Sequence, residues 1–193
     1  MKVLSIDVTA AKLVVVAYDG EKTSYKISQE SGKKHNALVM PYIEEVLNDL
    51  NLSVKDIDVF SCVIGPGSFT GIRIGIATMK ALSFAMQKPC VAINALEEMA
   101  YGKEGNFHTA IDALHDNYYT ATFNGSWDKM SDVDCKFIDD IKKDNLPIYF
   151  KESEAIPQSL IDITLYKAAK KEFSILEPLY LRKSQAERDR DGD

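Results

Sequence analysis

Histidine and cysteine are scarce in this chain, which narrows the chemistry it can carry. The 193 residues include three histidines and three cysteines. Cys62, Cys90 and Cys135 lie in or beside apolar runs and lack the CxxC spacing of redox or zinc sites, so we expect buried thiols rather than disulfides or metal ligands. A helical metal pair would need a second ligand four residues after His35, where Val39 stands. We therefore expect no metal site.

Long apolar runs and an excess of positive charge are also missing. No run reaches the roughly 18 apolar residues that span a membrane, and Met1-Lys2 leads into a strand pattern rather than a secretory leader. Acidic residues outnumber basic ones by 29 to 23, which gives a formal charge of −6. The composition carries no general electrostatic signature of nucleic-acid binding. We expect a cytoplasmic protein that does not associate with membranes.

A strand, a glycine turn and a long helix occupy residues 59–86. The apolar run at 59–64 stops at Gly65-Pro66-Gly67, and a segment of helical length follows. Both glycines can take positive φ, so the backbone can turn sharply where a side chain would clash. The pattern predicts that the turn and the start of the helix coincide.

Two hydroxyl residues stand at the start of this helix. Either Ser68 or Thr70 can accept a hydrogen bond from one of the unpaired N–H groups of the first turn. The same N–H groups favour an anion. The turn lacks the GK[ST] sequence of a P-loop, however, and we expect its role to be mainly architectural.

The helix is apolar on two sides, which is unusual for a helix on the surface of a single domain. Ile72, Ile76 and Met79 fall on one side at a period of 3.6, and Ile74, Ala77, Ala81 and Ala85 fall on another. Small residues, including Gly71 and Gly75, would let a second helix approach closely. We therefore predict a partner-binding face. Its predicted residues are Ile72, Ile76, Met79, Lys80 and Ser83.

Elsewhere the patterns predict an α/β fold with the order βββαβαβα in the first half. Strands are expected at residues 3–8, 13–18, 23–29, 58–64 and 90–93, and further helices at 35–50 and 95–101. This order matches the ribonuclease-H-like half of the actin, hexokinase and Hsp70 (ASKHA) superfamily, in which an antiparallel meander is followed by parallel crossovers.

The second half is predicted to be a reduced copy of the first. The polar, glycine-rich residues 102–106 are the predicted boundary between an N-terminal domain, 1–102, and a smaller C-terminal domain, 103–193. Beyond it we expect strands at 107–112, 118–123, 135–138 and 148–150 and a helix at 158–169. The charged residues 183–193 are predicted to be a helical stub or disordered.

The glycine-turn segment, GPGSFTGIRIGIATMKAL, resembles the hallmark of the TsaB (YeaZ) family, bacterial accessory proteins of tRNA threonylcarbamoyladenosine biosynthesis. The match is extended by VLSIDVT at residues 3–9, by Ile111-Asp112-Ala113 and by EPLYLRKSQAER at 177–188. The resemblance implies a noncatalytic partner of TsaD, the enzyme that transfers the threonylcarbamoyl group onto adenosine 37 of tRNA. It further implies that the ATPase TsaE joins the complex, that the chain alone is a homodimer, and that tRNA is met only through the complex. It implies no cofactor of the chain's own, and ATP or ADP at the partner interface stays open.

A small-molecule kinase of the same superfamily is the alternative, with Asp7 as base and the glycine turn touching phosphate. Asp7 ends the first strand, where the resemblance places a phosphate-binding carboxylate. The following turn, Thr9-Ala10-Ala11-Lys12, lacks the glycine that lets N–H groups approach a phosphate. Pairing of Asp7 with turn N–H groups is an equally good interpretation. The residues predicted to form the structural turn or to lie near a nucleotide are Asp7, Gly65, Pro66, Gly67, Ser68, Thr70, Gly71 and Arg73.

Overall fold

A computed structural model describes residues 1–29, 35–125, 129–152 and 154–181 of the chain. The charged tail predicted at residues 183–193 lies outside them. Within the described ranges, no helix combines the length and the apolar character needed to cross a lipid bilayer.

Five strands form the first sheet, in the order β3-β2-β1-β4-β5. They are β1 (Val3–Asp7), β2 (Val14–Tyr18), β3 (Thr23–Ile27), β4 (Val59–Val63) and β5 (Cys90–Ile93). The first three pair antiparallel, whereas β4 pairs parallel to β1 and β5 parallel to β4. This is the predicted ribonuclease-H-like order, and the α/β fold class is confirmed.

Both faces of the first sheet are covered, because its central strands are apolar on both sides. Leu4, Ile6 and Phe60 pack towards helices α1 (His35–Asp49) and α2 (Phe69–Met86). The alternate side chains, such as Val3 and Val59, join a second core with α3 (Ala95–Met99). Strands that are buried on both faces are typical of α/β proteins. A short 3-10 helix, Val54–Asp56, precedes β4.

Four strands form the second sheet, in the order β8-β7-β6-β9. They are β6 (Phe107–Asp112), β7 (Asn117–Phe123), β8 (Asp134–Phe137) and β9 (Ile148–Phe150). β9 pairs parallel to β6, and the other pairs are antiparallel. A short helix that the sequence did not predict, α4 (Ile138–Ile141), and a 3-10 helix, Lys142–Asp144, connect β8 to β9.

The last helix, α5 (Pro157–Ala169), returns to the first sheet. It packs against β1, β2, β4 and β5, where Leu160, Ile161 and Ile163 are at most 1% exposed. The buried hydroxyl of Thr164 lies 2.6 Å from that of Ser61 on β4. The division of the chain at residue 102 stays a prediction, but a helix from the second region completes the core of the first.

An extended strap, residues 172–181, runs from α5 across the edge of the first sheet. The backbone N–H of Ser174 donates to the carbonyl of Cys90 at 2.9 Å, and that of Leu179 donates to the carbonyl of Ile64 at 2.9 Å. Leu176 is 1% exposed between these two points. Residues 174–179 of the strap therefore lie against β5 and the glycine turn.

Candidate functional site

The glycine turn is packed on both sides by backbone. Gly65 has a φ of +117°, and a Cβ there would lie 3.0 Å from the carbonyl oxygen of Leu179 in the strap. At Gly67 a Cβ would lie 2.7 Å from the carbonyl oxygen of Thr9. The N–H of Ser68 donates to the same oxygen at 3.0 Å. Side chains are excluded at Gly65 and Gly67 because the connection between β1 and β2 and the strap both approach the glycine turn.

Helix α2 is capped at its N-terminus, and its first turns pack closely against the end of β1. Ser68, rather than Thr70, is the cap, because its hydroxyl accepts a hydrogen bond from the N–H of Gly71 at 3.2 Å. A Cβ on Gly71 would lie 1.8 Å from the carbonyl oxygen of Val8, and one on Gly75 would lie 3.3 Å from Cγ2 of Val8. These two glycines therefore allow α2 to pack against Val8 within the chain, and they are not available for contact with a second helix.

The predicted partner face of α2 needs a correction. Ile72, Ile76 and Met79 are 1%, 7% and 0% exposed, respectively, and belong to the core between α2 and the first sheet. They present almost no surface to a partner. Lys80 is exposed, whereas Ser83 is half-buried and donates its hydroxyl to the carbonyl of Lys88 at 2.6 Å.

The opposite side of α2 faces solvent, and Lys80 is the residue of the predicted partner face that belongs to it. We call Ala77, Lys80, Ala81, Phe84 and Ala85 the outer face of α2; all five are exposed. Phe84 is 86% exposed, the highest value among the large apolar side chains of the described residues. It lies three residues from Ala81 and seven from Ala77, so the helical period puts them on one stripe. That spacing was the signal that could have found Phe84.

A cleft of about 600 Å³ adjoins the C-terminal end of this face. Phe84 and Ser83 line it from α2, Cys90 lines it from β5, and Ile175 and Leu176 line it from the strap. Ile175 is 75% exposed. The apolar surface of the outer face thus continues onto the strap.

Arg73 is bound to the strap at the other end of α2. Its Nε donates to the hydroxyl of Tyr180 at 2.8 Å. The Tyr180 ring stacks on Phe69, with 4.9 Å between centroids. Arg73 therefore has a structural partner within the chain.

Asp7 is fully buried at the end of β1. Its Oδ1 accepts hydrogen bonds from the N–H and the hydroxyl of Thr9, both at 2.7 Å, as in the interpretation that pairs Asp7 with turn N–H groups. Its Oδ2 has no hydrogen-bond partner among the described residues, but the ammonium of Lys151 lies 3.6 Å away. A carboxylate bound in this way is poorly placed to act as a base, which counts against the kinase alternative.

A second buried carboxylate, Glu98, lies in the same region. It accepts hydrogen bonds from the N–H of Ile156 at 3.1 Å and from the hydroxyl of Ser159 at 2.8 Å. Burial raises the pKa of Glu98, and the charge of Lys151 opposes that shift. Sequence reasoning missed Glu98 and Lys151, since 144 residues separate Asp7 from Lys151 and neither lies in a motif.

Two of the three histidines, and the three cysteines, lie in buried or half-buried positions. His35 is 6% exposed at the start of α1, and burial lowers its pKa. His108 bonds through Nε2 to Asp144 at 2.8 Å and through Nδ1 to the Thr122 hydroxyl at 3.1 Å. Burial raises the pKa of Cys62 and of Cys90, whereas Cys135 is only half-buried, contrary to expectation. No group of three His, Cys, Asp or Glu residues within the described ranges is arranged to hold a metal ion.

Comparison with known proteins identifies the family. The family model described as TsaD, tRNA N6-adenosine threonylcarbamoyltransferase, matches residues 24–148, which is more than half of the chain. A curated relative from Escherichia coli (strain K12), the tRNA threonylcarbamoyladenosine biosynthesis protein TsaB, is 32% identical over 136 residues, covering 66% of this chain and 58% of the relative. The chain belongs to the TsaD family, and within it to the TsaB (YeaZ) group.

A second TsaB relative agrees with this assignment, and a solved structure shares the fold. TsaB of Bacillus subtilis (strain 168) is 27% identical over 126 residues, 64% of this chain and 55% of the relative. The chain thus spans little more than half the length of these curated TsaB relatives. The structure of YeaZ from Pseudomonas aeruginosa superposes with a TM-score of 0.79 at 18% identity, covering 93% of this chain and 99% of YeaZ. At that identity it confirms the fold alone.

Proposed function

We propose that this chain is a noncatalytic partner of TsaD in the threonylcarbamoylation of adenosine 37 of tRNA. Its curated relatives are named for tRNA threonylcarbamoyladenosine biosynthesis. The formal charge of −6 argues that a partner, rather than this chain, holds the tRNA. We place the complex in the cytoplasm, without membrane contact.

The observation that carries the proposal is the outer face of α2. Its alanines let another helix approach to about 8–10 Å between axes. Phe84 leaves 86% of its surface in water, and covering such a side chain contributes about 1.5–3 kcal/mol. Exposed aromatic side chains that become buried at the centre of an interface are frequent sources of binding energy.

One face can serve two alternative partners. We propose that a second copy of the chain covers the outer face of α2 when TsaD is absent, and that TsaD displaces it. TsaE would join the heterodimer, and ATP or ADP would bind at the interface rather than within this chain. Since both dimers use Phe84, they would be mutually exclusive.

Light scattering after size exclusion tests the proposal, on the chain alone and mixed with its cognate TsaD. Phe84→Lys places a charge at the centre of the proposed interface and disturbs little within the chain. Tyr25→Lys is the matched control, because Tyr25 is 55% exposed on β3, at the far edge of the sheet. Ile76→Arg is unsuitable, because Ile76 is 7% exposed in the core.

The wild type and Tyr25→Lys should form a one-to-one complex with TsaD, and Phe84→Lys should bind at least about tenfold more weakly, a difference of about 1.4 kcal/mol. Equal binding by all three would place the interface elsewhere. If the wild type forms no complex with TsaD, the partner role is wrong, and ATP turnover by the isolated chain would then test the kinase alternative.

A further inference from the structure

A lysine from the second sheet reaches the buried end of the first. Lys151 follows β9 directly, and its backbone N–H continues the sheet by donating to the carbonyl of Ala110 at 3.1 Å. Its side chain is 12% exposed. The ammonium donates to the hydroxyl of Thr9 at 3.1 Å and lies 3.6 Å from Oδ2 of Asp7. The contact therefore joins two parts of the chain that are 144 residues apart.

The carboxylate that receives this lysine is not satisfied by hydrogen bonds. Thr9 supplies both bonds to Oδ1 of Asp7, and Oδ2 has none from the described residues. An ionised carboxylate that is 0% exposed needs a cation close by, because burial removes the water that would otherwise stabilise its charge. Glu98, 5% exposed, adds a second buried acid to the region. The ammonium of Lys151 is the cation that this environment requires.

The segment that carries Lys151 is held in place on either side of the cluster. Lys12 pairs with Glu154 at 2.8 Å, and the N–H of Ile156 donates to Glu98 at 3.1 Å. These contacts anchor Glu154 to the turn between β1 and β2 and Ile156 to α3. A metal-bound phosphate at Asp7 would have to displace the ammonium of Lys151, which lies 3.6 Å from Oδ2. The residues present therefore do not fit a metal nucleotide at Asp7.

We propose that Asp7 and Thr9 form a cation site that the chain fills with the ammonium of Lys151, and that shortening this side chain opens the site to a small cation from solution. The chain thereby closes, with one of its own side chains, the position at the end of β1 where a charged ligand would otherwise enter. This inference does not depend on the proposed partnership with TsaD.

Thermal unfolding of the full chain tests the proposal, with methylammonium chloride and MgCl₂ as probes. Tetramethylammonium chloride, which is too large for the site, controls for ionic strength. Lys151→Ala removes the ammonium and leaves space for a probe. The matched control is Lys12→Ala, which breaks the other ion pair that anchors the same segment, between half-exposed side chains.

Lys151→Ala should melt about 6–20 °C below wild type, because it leaves a buried charge without its partner. Methylammonium or Mg²⁺ should then raise its melting temperature saturably, and Asp7→Asn in the same background should abolish the rise. Wild type and Lys12→Ala should show no saturable response. A flat response of Lys151→Ala to both probes, or an equal response of wild type, would overturn the proposal.

If Lys151→Ala does not fold, Lys151→Met keeps the apolar stem and allows a double-mutant cycle with Asp7→Asn in urea. Removing both charges should then lower the unfolding midpoint by less than the sum of the two single losses. Additive losses would show that Asp7 and Lys151 are not coupled, which the proposal does not permit.

Discussion

Replacing Gly71 with alanine should destabilise the protein, although alanine favours helices by about 1 kcal/mol over glycine. The new Cβ would lie 1.8 Å from the carbonyl oxygen of Val8, whereas such C···O contacts begin at about 3.3 Å. The shortfall is therefore about 1.5 Å, the difference between these two distances. Because the obstacle is backbone, α2 must move away from β1, and overpacking of this kind costs about 1–3 kcal/mol.

Gly75→Ala is the matched control, one turn further along the same helix. Its Cβ would lie 3.3 Å from a methyl group of Val8, and a side-chain methyl can yield by a few tenths of an ångström. With the propensity gain retained, we expect Gly75→Ala to be neutral or stabilising by up to about 1 kcal/mol. Gly71→Ala, at the upper end of the overpacking range, should lose about 2 kcal/mol net.

Urea unfolding followed by far-ultraviolet circular dichroism measures this difference. With a slope of about 2 kcal/mol per molar urea, the midpoint of Gly71→Ala should fall by about 1 M. The midpoint of Gly75→Ala should stay at or above that of wild type. Equal midpoints for the two alanine variants would refute the close approach of α2 to β1.

Two further predictions concern buried groups. Met79 is 0% exposed, so Met79→Ala should lower the free energy of unfolding by about 2–5 kcal/mol. Phe84→Ala should change it by less than about 0.5 kcal/mol. Similar losses for the two variants in urea unfolding would contradict the orientation of α2. Since burial raises the pKa of Glu98 above its ordinary 4.5, the folded state holds its proton to higher pH than the unfolded state. The stability of the wild type should therefore fall as pH rises from about 4.5 through the raised pKa, and Glu98→Gln should lack this component. If the melting temperatures of wild type and Glu98→Gln change with pH in parallel, this contribution of Glu98 is excluded.

The glycine-turn segment could be predicted from sequence because each of its signals is local. The apolar run of β4, the glycines of the turn and the following helical period lie side by side in the chain. The order of the first five strands follows from the same kind of pattern. Ser68 and Thr70 left the choice of cap open, and the geometry of the turn decides it in favour of Ser68.

The orientation of α2 could not be predicted, because both of its sides are apolar and periodicity does not distinguish them. The close contact of Gly71 with Val8 decides it, and that contact joins separate elements. The pairing of Lys151 with Asp7 depends likewise on the two sheets meeting. The strap has no periodic pattern, so its path depends on the carbonyl groups that the first sheet leaves available.

The return of α5 to the first sheet has a consequence during synthesis. The strands and helices of residues 1–102 are complete long before α5, which ends at Ala169, has been made. At about 5–20 residues per second, the intervening 67 residues (169 − 102) take roughly 3–13 s to add. During that interval α5 is not yet present to cover its part of the face that contains Val3, Val14 and Val59. The nascent chain therefore exposes apolar surface on one face of its first sheet until α5 has been synthesised. The faster α5 is translated, the shorter the time in which this surface can aggregate.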